Sequence, residues 1–185
     1  AGYLTTAFEA NLQLPADIKV HFIKEPKPLG TCGAVKQAEE LLTETFLVLN
    51  GDILTDLNLK HLIAYHQQKK AAVTIALTTV DDPTSYGLVP LKNNGLVEEF
   101  LEKPSWDEVT TNLINAGTYV IEPEVLAYAP KDEPYSFERG LFPLLLEKKL
   151  PVYGFPASGY WLDIGSPEKY LRAHHDLLEG QMHLG

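Results

Sequence analysis

Two aspartates stand where apolar segments run out into glycine turns. Asp52 closes Leu47-Val48-Leu49-Asn50-Gly51-Asp52, and Asp163 lies in Tyr160-Trp161-Leu162-Asp163-Ile164-Gly165, just before a helix start. A buried strand of a parallel sheet reads as a continuous apolar run, and ligands of such sheets gather at the carboxyl ends of strands. Asp52 is therefore expected where a metal or a phosphate is handled. Either aspartate alone equally fits a turn former. Together they could share one divalent cation, because Mg²⁺ prefers one or two carboxylates completed by substrate phosphates.

Three further segments carry polar chemistry. The loop Glu25-Pro26-Lys27-Pro28-Leu29-Gly30-Thr31-Cys32-Gly33 joins a strand-like segment to a helix-like one. Its prolines stiffen the entry, its glycines let a ligand approach the backbone, and the helix behind it offers free N–H groups. That suits a nucleobase or a phosphate, and a tight strand-to-helix turn would look the same. Glu102-Lys103-Pro104 ends a strand at a proline, leaving a carboxylate able to accept from sugar hydroxyls beside an ammonium suited to phosphate. An exposed ion pair of small energetic value is the plainer account. Asn115-Ala116-Gly117 interrupts an apolar strand, as a bulge or a close ligand approach does. His174-His175 reads as solvated helix surface, Ser158 lacks a nucleophile elbow, and Cys32 reads as loop filling.

The elements that must position these groups alternate in the manner of an α/β fold. Tyr3 to Leu12 is helix-like, Ile18 to Ile23 alternates as a strand, Ala34 to Leu42 is helical, and Phe46 to Leu49 is the buried strand. An amphipathic helix over Leu59 to Lys70, capped by Asp56 or Asn58, leads to a strand over Ala72 to Thr79. Gly87 to Leu91 and Leu96 to Leu101 flank Lys92-Asn93-Asn94-Gly95, a hairpin signal. A strand over Asn112 to Ile121 follows, then helices over Pro123 to Tyr128 and over Phe137 to Lys148, the latter capped by Ser136, and a strand over Val152 to Phe155. The last helix has Ser166 as cap, Pro167 in its first turn and Gly180 just past its end.

The chain has 185 residues, 45% of them hydrophobic and 22% charged, which suits one substantial core. We read it as a single domain. The formal net charge of −10 argues against nucleic acid or an anionic membrane as partner. One cysteine excludes an internal disulfide and fits a reducing cytoplasm. No apolar run approaches the roughly 20 residues of a membrane span. The chain starts inside a helix-like segment, so the strand expected before it is missing and the sequence reads as a fragment.

The ordered set Pro28 to Gly33, Asn50-Gly51-Asp52, Tyr86-Gly87, Phe100 to Pro104, Asn115-Ala116-Gly117 and Trp161 to Gly165 resembles the sugar-nucleotide pyrophosphorylases. These nucleotidyltransferases join a sugar 1-phosphate to an NTP and release pyrophosphate. Phe100-Leu101-Glu102-Lys103-Pro104-Ser105-Trp106 and Leu141-Phe142-Pro143-Leu144-Leu145 look most like the mannose-1-phosphate guanylyltransferases among them. The resemblance implies a Rossmann-like (GT-A-like) mixed sheet flanked by helices, with a nucleotide-binding half over residues 1–80 and a sugar-binding half, holding the hairpin and the terminal helix, over residues 81–185. It implies that Asp52 and Asp163 hold Mg²⁺, that Glu25, Pro28, Leu29, Gly30, Thr31, Gly33 and Asp52 serve the nucleotide, and that Tyr86, Gly87, Glu102, Asn115 and Gly117 hold the sugar. Lys103 would hold its phosphate and act with the two aspartates in catalysis.

GTP is the preferred nucleotide, because a carboxylate such as Glu25 can accept both the N1–H and N2–H of guanine. The family's amino-terminal signature, a glycine-rich phosphate loop with a catalytic arginine followed by a lysine, has no counterpart in the sequence. The chain alone is therefore expected to be weak or inactive, and to self-associate or be completed by that segment. The competing expectations are a catalytically inert sugar-nucleotide-binding module, a glucose-1-phosphate uridylyl- or thymidylyltransferase, and a glycosyltransferase of similar architecture.

Overall fold

The computed structural model describes residues 18–182. It is a mixed α/β structure with a six-stranded sheet flanked by helices, as the sequence leads one to expect. The strands are β1 (Phe46–Leu49), β2 (Ile53–Thr55), β3 (Val73–Thr79), β4 (Gly87–Leu88), β5 (Leu101–Glu102), β6 (Leu113–Ile121), β7 (Val152–Pro156) and β8 (Trp161–Asp163). The α-helices are α1 (Gly30–Lys36), α2 (Leu59–Lys69), α3 (Phe142–Glu147) and α4 (Pro167–Leu178).

β6 is the spine. β3 runs antiparallel along one of its edges, and β7 lies parallel outside β3. The other edge is divided: β1 pairs with Thr118 to Ile121, and β4 meets β6 at Ile114, with β5 outside it. The gap between β1 and β4 opens beside Asn115 to Gly117. β2 and β8 form a separate antiparallel ribbon in which Ile53 faces Asp163.

Strand alternation sorts the core into two layers. Val73, Ile75, Leu77, Tyr119 and Ile121 pack with Phe137, Leu141, Phe142 and Leu145 on one face of the sheet. Ala76, Ala116 and Val120 pack with Leu62 of α2 on the other. α2 is capped by Asn58, whose Oδ1 accepts the His61 N–H at 3.1 Å. Asp56 instead accepts the Tyr160 N–H at 2.7 Å and ties β2 to the β8 side.

Several expectations are corrected. Ile18 to Ile23 is not a strand: it alternates, but no ladder among the described residues takes it up, and Ile18, Val20 and Phe22 are exposed. The Tyr3 to Leu12 segment lies outside the described residues. β1 is not a buried strand of a parallel pair. It runs antiparallel to β6, its only partner among the described strands, and Leu49 is 54% exposed. The helix expected over Ala34 to Leu42 begins earlier, at Gly30, and ends at Lys36, with a separate 3₁₀ turn at Glu39–Leu41. Pro123–Tyr128 is 3₁₀ helix.

The hairpin arms pair only at β4 with β5 and at a Leu91–Val97 bridge, since Pro90 has no N–H to give a ladder. The helix expected from Phe137 opens as a π turn over Phe137–Leu141 before α3 continues it. Pro143 explains that opening, because its ring would clash with the carbonyl four residues back and it has no N–H to offer.

Candidate functional site

The β2–β8 ribbon brings the two aspartates together. Its register sets Ile53 opposite Asp163, and the Ile164 N–H donates to the Asp52 carbonyl at 2.8 Å. A methyl group added at Gly165 would lie 2.9 Å from Asp163 Oδ1 and 3.7 Å from Asp52 Oδ2, so both carboxylates flank one point. Asp163 Oδ1 accepts the Gly165 N–H and Oδ2 accepts the Lys169 ammonium, each at 2.8 Å. Partial burial pushes the Asp163 carboxyl up, but those two hydrogen bonds and the lysine charge outweigh it and hold the group below the usual carboxylate range. Asp163 is ionised at neutral pH. The Asp52 carboxylate, by contrast, is exposed and has no hydrogen-bond or ion-pair partner among the described residues.

Both aspartates open into a cleft of about 200 Å³, where Asn50, Tyr86, Gly87, Glu102, Asn115, Gly117, Glu138 and Trp161 also converge. This is the gap left beside β6 between β1 and β4. Gly117 shapes it. Its φ of +73° is the left-handed region, and a Cβ there would stand 2.9 Å from Asn50 Nδ2 and 3.1 Å from Ile53 Cγ1. The Gly117 carbonyl accepts the Asn50 N–H at 2.8 Å, which pins the Asn50-Gly51-Asp52 turn to the bulge of β6. Gly87 pairs with Glu102 across β4 and β5, and Arg139 Nη2 stands 3.7 Å from Glu102 Oε1. The Tyr86 ring meets Trp161 edge-on at 5.6 Å, while Trp161 Nε1 donates to the Ala116 carbonyl at 2.9 Å.

Lys103 follows directly after Glu102 but is not among the cleft-lining residues. It is exposed, has φ +52° and makes no ion pair among the described residues. A left-handed non-glycine backbone is a form of strain that gathers at functional sites.

The loop assigned to the nucleotide packs on the segment before the π turn. Cys32 and Gly33 donate their N–H groups to the Tyr135 carbonyl, both at 3.0 Å, and Tyr135 returns its N–H to the Leu29 carbonyl. Leu29 and Gly33 are buried, whereas Pro28, Gly30 and Thr31 are exposed. A Cβ on Gly33 would meet the Glu133 carbonyl oxygen at 2.9 Å, so close packing of two backbones already requires that glycine. Glu25 Oε1 accepts the Leu29 N–H at 3.0 Å and braces the turn.

Glu138 joins this loop to the cleft. It accepts from Thr31 Oγ1 at 2.9 Å, from Ser136 Oγ at 2.6 Å and from the Tyr119 phenol at 3.1 Å, and that phenol accepts from Asn115 Nδ2 at 2.8 Å. The Tyr119 hydroxyl is held protonated, its pKa raised well above the ordinary value by burial and then by the Glu138 charge. Sequence reasoning missed Glu138 and Lys169. A glutamate early in a helix reads as an ordinary partner of the helix dipole. A lysine six residues past Asp163 shares no helical face with it.

The carboxylates suit Mg²⁺ by donor type, since they are hard oxygen ligands around one point. Among the described residues no group of three or more His, Cys, Asp or Glu is placed to hold a metal.

The sheet is thus notched beside its central strand, with two carboxylates at the notch and hydrogen-bonding side chains on its wall. The chain belongs to the nucleotidyl transferase family, whose pattern it matches over residues 3–180. It is 37% identical over 165 residues to the mannose-1-phosphate guanylyltransferase of Mycobacterium tuberculosis (strain ATCC 25618 / H37Rv), covering 88% of this chain and 45% of that protein. The chain thus spans about half the length of the curated relatives it matches. The crystal structure of HddC from Yersinia pseudotuberculosis superposes with a TM-score of 0.76 at 30% identity, over 96% of this chain and 74% of that one. A UDP-glucose pyrophosphorylase from Acinetobacter baumannii superposes with a TM-score of 0.77 at 25% identity, over 90% of this chain and 62% of that one. Among the described residues no helix is long and apolar enough to cross a membrane.

Proposed function

We propose that this chain supplies the metal- and sugar-handling part of a nucleotidyltransferase that forms an NDP-sugar and pyrophosphate from an NTP and a sugar 1-phosphate. The observation that carries the reading is the convergence of Asp52 and Asp163 on one point of the cleft that also holds Glu102, Asn115 and Gly117. GDP-mannose is the preferred product, supported by the curated relative's name and by the guanine-accepting chemistry of a carboxylate such as Glu25. In this reading a phosphate oxygen of the sugar 1-phosphate attacks the α-phosphorus of the NTP in line. The new P–O bond forms as the α–β phosphoanhydride breaks, and pyrophosphate leaves.

Glu102 and the Asn115 to Gly117 bulge would orient the sugar, and Lys103 would neutralise its phosphate. Gly30, Thr31 and Gly33 would border the base, held in place by Tyr135 and Glu138. Asp52 and Asp163 would hold Mg²⁺, which when bound supplies charge neutralisation at the phosphates. Work in the cytoplasm is part of the proposal, in keeping with the single buried thiol.

The test measures GDP-mannose binding by calorimetry and pyrophosphate release from GTP and mannose 1-phosphate with Mg²⁺. UTP with glucose 1-phosphate runs in parallel, because the similarity to a UDP-glucose pyrophosphorylase makes the uridylyl reaction the second reading. Binding and turnover of the guanosine pair support the first reading, and preference for the uridine pair replaces it with the second. Binding of GDP-mannose without turnover, even when the chain is supplied with a family-type amino-terminal segment, favours an inert sensing module.

A further inference from the structure

The two aspartates differ in one respect that their shared role does not explain. Asp163 is engaged at both oxygens and Asp52 at neither, among the described residues. The group on Asp163 Oδ2 is the ammonium of Lys169, from the first turn of α4, at 2.8 Å. Its side chain is 38% exposed, and its nitrogen stands 5.8 Å from the centroid of the Tyr86 ring on the cleft wall. A divalent cation shared by the two aspartates needs a carboxylate oxygen from each, and an ammonium on Asp163 Oδ2 opposes it twice, by like charge and by withholding that carboxylate's second oxygen. A lysine carries its charge on a flexible four-carbon stem. Once displaced, the ammonium needs another anion, and phosphates are the anions that the substrates bring to this cleft.

We propose that Lys169 is a second phosphate-binding lysine of this site, held on Asp163 until metal arrives and then passed to a substrate phosphate beside Tyr86. The inference rests on the reading of the cleft as a metal- and phosphate-handling site. Before metal binds, the pair keeps the Asp163 carboxylate aimed at its partner. When metal takes the carboxylate, the freed ammonium adds positive charge to the cleft. Metal binding and phosphate binding are thereby coupled through one side chain.

The test uses Mn²⁺ as the metal probe, its free ion counted by electron paramagnetic resonance, on the wild-type chain and on Lys169→Met. With the metal present, GDP-mannose affinity is measured by calorimetry. Removing the competing ammonium should tighten Mn²⁺ binding in the absence of nucleotide about fivefold or more. Removing one charge-assisted phosphate contact should weaken GDP-mannose about tenfold. Lys169→Arg should restore most of the GDP-mannose affinity, and Lys169→Gln serves in place of methionine if that variant folds poorly. Unchanged or weaker Mn²⁺ binding in the neutral variants overturns the proposal, as does tighter Mn²⁺ binding with GDP-mannose affinity unchanged. If the wild-type chain binds neither probe, the functional reading itself fails; if it binds both and the variants match it, only the role of Lys169 falls.

Discussion

Replacing Glu138 by alanine should cost about 2–4 kcal/mol of folding stability, most of it at a residue that is never touched. Glu138 accepts three hydroxyl donors, but these differ in what they can do without it. Thr31 is exposed and Ser136 half-buried, so both hydroxyls can turn to water, and losing their bonds to a carboxylate costs about 1 kcal/mol together. Tyr119 is fully buried, and its phenol already accepts from Asn115. Without Glu138 its O–H is a buried donor with no acceptor, a penalty of about 1–3 kcal/mol. Tyr119→Phe alone should cost less, about 1 kcal/mol, because Asn115 and Glu138 are half-buried and can rehydrate.

In the Tyr119→Phe background Glu138→Ala should therefore cost only the hydroxyl part, giving a coupling energy of about 1–3 kcal/mol. Urea denaturation of the four proteins, with linear extrapolation and matched slopes, measures it. Additivity within about 0.5 kcal/mol would refute the reasoning, because it would mean that the phenol was not what Glu138 satisfies.

Asp52→Asn should leave the urea midpoint unchanged, since no described partner is lost, yet lower the metal-dependent pyrophosphate release of the chain completed by a family-type amino-terminal segment about 10²–10³-fold, judged by a coupled pyrophosphate assay. Cys32 is fully buried, and burial first, then the Glu138 charge, pushes its thiol up to about 12. A disulfide reagent at pH 8 should accordingly find no reactive thiol in the native chain and one after unfolding. Tyr160 donates to Asp176 Oδ2 at 2.6 Å, and burial together with that bond raises its pKa to about 12 from an ordinary value of 10.0. The native state holds this proton more tightly than the unfolded chain does. The resulting stabilisation is complete below pH 10.0 and is lost as the pH rises toward about 12. Tyr160→Phe should flatten that loss in urea midpoints taken across the window.

What the sequence disclosed followed the range of the forces involved. β3, α2 and α4 were legible because their signals are local: an apolar run, a face repeating every three or four residues, and the caps Asn58 and Ser166. Asp52 and Asp163 stood out because glycine turns end their apolar segments. β2 was not legible, because three residues give no period and its partner β8 lies more than a hundred residues away. Ile18 to Ile23 shows the converse, since alternation is necessary for a half-buried strand and says nothing of who pairs with it. The π turn was readable only in hindsight, from the cost of Pro143 in a regular helix. Glu138 and Lys169 escaped because their importance lies in whom they meet across the fold, at Tyr119 and Asp163.

The central position of β6 bears on how the molecule is born. Within the described sheet β1 touches β6 alone, and β3 finds its neighbours in β6 and β7. A ribosome making this chain must therefore release β1, α2 and β3 before any of their described strand partners exists. Up to Leu113 the emerging polypeptide carries Val73, Ile75 and Leu77 with neither edge of their strand satisfied, a state open to off-pathway pairing. Pairing of β1 and β3 with β6 is then a late event that becomes possible once Ile121 clears the exit tunnel, and β7 joins β3 later still. Stalled nascent chains ending before and after that residue should differ abruptly in protease resistance.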